Sequence, residues 1–198
     1  MGIIQQQTPS VSDLRAKLIE YRPYCLQEAK DKDRMIFLMD RYTDIFSRQN
    51  EFFHFTASSW ILNHKQDKVL MVYHNIYDSW SWTGGHADGD ADLCTVALRE
   101  AYEETGIFIP MYRDDIFSIE ALSVKGHMKN GGWVGSHIHL NVTYLFSADD
   151  TMPIQPNYNE NSGVKWIPIN EVIASSTEPE MRVVYEKLIN KLNGVRMY

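Results

Sequence analysis

Apolar residues recur at helical spacing in the first quarter of the chain and at strand spacing through much of the rest. Val11, Leu14 and Leu18 lie three and four positions apart, as do Met35, Leu38, Met39, Tyr42, Ile45 and Phe46. This spacing predicts helix over about residues 11–47, broken or kinked at Pro23. From Phe52 the pattern changes. Residues 53–62 alternate loosely and are rich in aromatic and β-branched side chains, with 68–73 as a partner strand and 63–67 as the turn. A short extended piece at 81–83 leads to a helix over 92–105, opened by an Asp cap and stopped by Gly106. Strands follow at 116–125, 136–146 and 164–168, with a flexible hairpin connection at 131–135 and an amphipathic helix at 178–192.

Two helices, then mixed strands around one central helix, then a last helix: this order predicts an α/β sandwich with a mixed sheet. Residues 1–50 are expected as an N-terminal helical extension and 51–198 as the main domain. The extension carries no constellation of reactive groups. It reads as a packing or homodimerisation appendage, with a substrate lid as the second reading.

The composition is that of a globular protein, 44% hydrophobic and 23% charged. A net charge of −7 with no cluster of Lys and Arg argues against bulk binding to nucleic-acid backbone. No run approaches the ~20 apolar residues of a membrane helix. Residues 1–10 lack the basic and apolar regions of a signal peptide, and there are only two cysteines, Cys25 and Cys94. A reducing cytoplasm is the expected setting.

The chemistry concentrates in the central helix. Glu100 and Glu104 lie about 40° apart on its surface, and Glu103 falls roughly 60° to the other side of Glu100. Three carboxylates thus share one flank, where like charges repel unless a counter-charge is present. A hard divalent cation, Mg²⁺ or Mn²⁺, resolves the conflict because it prefers oxygen ligands. Arg99, four residues before Glu103, can pair with it and fix its direction. The opposite flank, with Cys94, Leu98, Ala101 and Thr105, is small or apolar and can pack on a sheet. Upstream, Gly84 and Gly85 allow backbone to approach a metal or phosphate closely.

Residues 85–107 resemble the Nudix box: G, five residues, E, seven residues, then R-E-U-x-E-E-x-G-U, where U is bulky and apolar. Gly85, Arg99, Glu100, Glu103, Glu104, Gly106 and Ile107 match. Ala101 is small for its position, and Ala91 stands where the first box Glu is expected, between Asp90 and Asp92. The resemblance, which covers about residue 53 to the end, implies the family's α/β/α sandwich. It also implies metal-dependent hydrolysis of a phosphoanhydride bond in a small phosphorylated substrate, a nucleoside diphosphate linked to another moiety. It assigns Mg²⁺ or Mn²⁺ to Glu100, Glu103, Glu104 and the Gly84 carbonyl, and an orienting role to Arg99. It offers Glu160, on a late loop, as a general base. A rival reading is a catalytically weak Nudix-like module that binds or senses a metabolite, favoured only by Ala91.

Other side chains are candidates on position alone. His86 follows the glycines and is expected to line the pocket. His137 and His139 lie two apart and share a strand face, where two imidazoles without a third are weak grounds for a metal site. One of them, His137, is taken as a substrate contact. Trp82, with Trp80 and Tyr77, could stack a base, though packing is the commoner role for such aromatics.

Overall fold

The computed structural model describes residues 10–110, 112–129, 131–159 and 161–194. Two helices come first, α1 (Val11–Glu20) and α2 (Leu26–Met39). Strands β1 (Phe53–Asn63), β2 (Lys68–His74), β3 (Ser79–Ser81) and β4 (Thr83–His86) precede α3 (Leu93–Thr105). Then come β5 (Ile116–Val124), β6 (His127–Lys129), β7 (Gly132–Val134), β8 (His137–Ala148) and β9 (Asn161–Pro168). The short α4 (Val172–Ser175) and the long α5 (Pro179–Leu192) close the described chain.

Seven strands form one mixed sheet along the path β3-β2-β1-β8-β5, with β4 joined to β1 and β9 to β2. The central pair, β1 and β8, is parallel, and the other pairings are antiparallel. β1 and β2 pair where Leu62 faces Val69 and then diverge. β3 follows β2 and β4 follows β1, which splits the sheet beside the box.

Alternation along the central strands sends two sets of side chains to opposite faces. Phe55, Ala57, Leu140 and Val142 join Leu93, Val96, Ala97 and Ala101 of α3 in one core. Trp60, Leu62, Val69 and Met71 join Tyr185 and Leu188 of α5 in the other. The α/β sandwich expected from the pattern is what forms.

Helix α1 is closed by a full capping box at Ser10 and Asp13 and buries Leu14 and Leu18 in the core that α3 shares. The helical run ends earlier than its periodicity predicts. α2 stops at Met39, and Ile45 and Phe46 reach the core from turns. Apolar spacing alone does not separate a helix from a turn whose side chains are equally buried.

α2 covers the outer edge of β5. Gln27 donates to the Ile119 carbonyl at 3.1 Å, and Asp31 accepts the Ala121 N–H at 2.9 Å. Side chains thus satisfy a strand edge that would otherwise be open to pairing. Behind them, Glu28 is fully buried and bonded to Tyr21, the Tyr24 N–H and Ser118, with Lys187 and Lys191 at 3.3 Å. The segment predicted as a flexible connection is the two-stranded hairpin β6–β7.

Candidate active site

Helix α3 is set in place at both ends. Asp92 accepts the Thr95 N–H at 3.2 Å and the Thr95 hydroxyl at 2.7 Å, while Gly106 ends the helix at φ 71°. Ser59 of β1 donates to the Ala97 carbonyl at 2.9 Å and ties the helix to the sheet. With the apolar flank anchored, the acidic flank lies along β4.

The three carboxylates grade from buried to exposed. Glu104 is buried, and its Oε2 accepts the Gly84 N–H at 3.0 Å. Glu100, its side chain 18% exposed, abuts Gly85 so closely that a Cβ added there would lie 2.4 Å from the carboxyl carbon. Glu103 is 54% exposed. Arg99 comes within 3.5 Å of Glu100 and 4.0 Å of Glu103, and so serves two of the acids. A Cβ at Gly84 would stand 2.5 Å from the Ala57 carbonyl oxygen. Gly84 is therefore required for close approach to the sheet backbone, and Gly85 leaves room for the Glu100 carboxylate.

The loop before α3 accounts for Ala91. Ala91 packs against the core, and Asp90 accepts the Asp92 N–H at 2.9 Å. Asp90 shapes the turn, and Asp92 caps the helix. Arg48 forms a two-pronged pair with Asp88, which holds a left-handed backbone at φ 48°. Glu160 lies outside the described residues.

The opposite face of β1, β4 and β8 carries a polar patch. Register pairs His86 with Thr56 and His54 with His139. The His54 ring centroid lies 5.1 Å from that of His86, 4.9 Å from His137 and 5.0 Å from His139. Burial pushes the His54 imidazole below its ordinary pKa against the opposing hydrogen bond to Asn50, and His137 pushes the same way as burial. Beyond the rings, Thr56 and Ser58 donate to the Asn141 side-chain oxygen at 3.0 and 2.8 Å. Asn141 in turn donates to Glu120 at 3.1 Å.

His86, His137 and His139 are thus brought together. His54 joins them, a residue the sequence reading missed although strand parity from the patterned run 53–62 fixes its face. Trp82 is not brought to this patch. It is 8% exposed and packs edge-on to Tyr185 with centroids 5.7 Å apart, inside the core beneath α5. Trp80 lies under Lys165, whose Nζ is 4.2 Å from the ring centroid.

Residues 52–188 match the NUDIX domain, and the chain belongs to that family. It shares its fold with an Ap4A hydrolase of C. elegans, 20% identical, at a TM-score of 0.53 over 71% of this chain and 98% of that one. A Nudix hydrolase from M. smegmatis, 14% identical, superposes at a TM-score of 0.52 over 73% of this chain and 89% of that one. No curated protein matches the chain in sequence. Among the described residues, no helix is long and apolar enough to cross a membrane.

Proposed function

We propose that this protein is a pyrophosphohydrolase that cleaves a phosphoanhydride bond in a nucleoside diphosphate linked to another moiety. The observation that carries the reading is the junction of α3 with β4. There the buried Glu104 carboxylate sits on the Gly84 N–H, and Glu100 fills the space a side chain at position 85 would take. Acids held this close along one helix flank fit a hard divalent cation.

Glu100, Glu103, Glu104 and the Gly84 carbonyl would hold Mg²⁺ or Mn²⁺, which when bound neutralises diphosphate oxygens and acidifies a coordinated water. Arg99, within reach of Glu100 and Glu103, restrains their directions. Its remaining N–H groups would be available to an anionic oxygen of the substrate. A carboxylate receives the proton of the attacking water, and Glu160 or a box glutamate takes that role. His86, which directly follows Gly85, is the histidine read as a substrate contact. The setting is cytoplasmic.

The supporting experiment is a screen of nucleotide sugars, dinucleoside polyphosphates, nucleoside triphosphates and NADH with Mg²⁺ or Mn²⁺, following product phosphates. Running positives in ¹⁸O-labelled water shows which phosphorus is attacked. Ala91, with both flanking aspartates engaged in turn and cap, favours a second reading as a metabolite-binding module. Tight binding of a panel member with no product after long incubation with metal supports that alternative.

A further inference from the structure

The histidine patch has the construction of a metal site. His54 Nδ1 lies 2.9 Å from the Asn50 carbonyl oxygen, and His137 Nδ1 lies 2.8 Å from that of Gly135. A carbonyl only accepts, so each Nδ1 carries the proton and each Nε2 presents a lone pair. Backbone carbonyls that fix the tautomer in this way are the usual outer support of metal-binding imidazoles.

The Nε2 atoms then converge. His139 Nε2–H donates to the His137 Nε2 lone pair at 3.0 Å, a proton that a metal ion would displace, and one ligand atom from each of His54, His137 and His139 lies within 4.8 Å of the others. Tetrahedral coordination at the usual zinc–nitrogen distance separates ligand nitrogens by about 3.3 Å, so a small ring movement closes the set. His54 is 4% exposed, and its Nε2 has no hydrogen-bond partner among the described residues. Burying such a lone pair unpaired carries a desolvation cost that a coordinate bond removes.

We propose that His54, His137 and His139 form a binding site for a borderline transition-metal ion of the Zn²⁺ class, separate from the box carboxylates. Neutral imidazoles suit Zn²⁺, Cu²⁺, Ni²⁺ and Fe²⁺, whereas Mg²⁺ takes oxygen ligands. Three protein nitrogens leave a fourth position for water or an anionic oxygen. His86 borders that position, its ring 5.1 Å from His54 and 5.0 Å from His139. His86 directly follows Gly85, so the ion would sit one strand face away from the carboxylates.

The test uses tag-free, chelator-stripped protein without any substrate. Titration with Zn²⁺, followed by calorimetry, is expected to show a tight site that weakens at least about tenfold in His54→Gln and in His139→Gln. His64→Gln, an exposed position in the β1–β2 turn, and Glu103→Gln keep it. Co²⁺ in the wild-type protein should give the visible absorption of a low-coordinate nitrogen site. Zinc X-ray absorption should show imidazole scattering from three rings, a readout that stands even if a histidine variant misfolds. Affinity unchanged in both histidine variants, loss in Glu103→Gln, or an oxygen-only shell overturns the proposal.

Discussion

The buried carboxylate of Glu104 accepts the backbone N–H of Gly84 at 3.0 Å, joining the last turn of the box helix to the strand before it. Removing the acceptor leaves a part-buried N–H without its partner, which costs about 1 kcal/mol. Glu104→Ala should therefore lower stability by that amount in urea, with Glu104→Gln closer to the wild type because its amide oxygen can still accept. Equal stability of all three proteins would remove Glu104 from its structural role.

Gly85 leaves room for the carboxylate beside it, because a Cβ there would lie 2.4 Å from the Glu100 carboxyl carbon. Gly85→Ala must push Glu100 aside while the rest of the sheet stays. A misplaced catalytic group costs on the order of 10²-fold in rate, so kcat should fall by about that factor with an unchanged circular dichroism spectrum. Wild-type kcat in Gly85→Ala would show that Glu100 need not sit there.

Cys94 lies on the anchored face of α3, where burial first, and then Asp92 and Asp114, push its thiol up to about 12. The thiolate is the reactive form. Native protein should leave Cys94 unmodified by iodoacetamide at pH 8, with full labelling after denaturation, as peptide mass spectrometry would show. Rapid native labelling at Cys94 would mean that α3 lifts from the sheet.

Lys187 is buried between two acids, 2.8 Å from Glu120 and 3.3 Å from Glu28. Lys187→Met strands buried negative charge and should cost about 3–5 kcal/mol. Burial alone would raise the Glu28 pKa, yet Lys187 and Lys191 hold it below the ordinary glutamate value. A depressed folded-state pKa contributes stability above the unfolded value and loses it as pH falls through the folded one. Acid should therefore destabilise the protein progressively below the ordinary glutamate range, and Glu28→Gln should flatten that limb. An identical acid profile in Glu28→Gln would contradict this.

The box was legible because its spacing is the chemistry. Arg99, Glu100, Glu103 and Glu104 sit within two helical turns, so sequence distance reports spatial distance. The same holds for Asp92 and Gly106, whose capping roles are local. His54 was not legible, since its neighbours are more than thirty residues away at His86, His137 and His139, and only the register of β1 with β4 and β8 unites them. The role of α2 was hidden for a related reason. Gln27 and Asp31 look like ordinary helix surface until β5 arrives beside them with an unpaired edge. Trp82 shows the converse: proximity to Gly84 in sequence says nothing about which strand face its ring takes.

The most direct test of hydrolysis at the α3–β4 junction is kcat/KM on the best substrate of the screen, for wild-type, Glu103→Gln and Glu104→Gln proteins, with Mg²⁺ and after its removal by chelator. Hydrolysis is expected only with the divalent ion and should fall on the order of 10²-fold or more in each variant, while both keep the wild-type circular dichroism spectrum. Undiminished turnover in both variants, or turnover indifferent to the chelator, would contradict it.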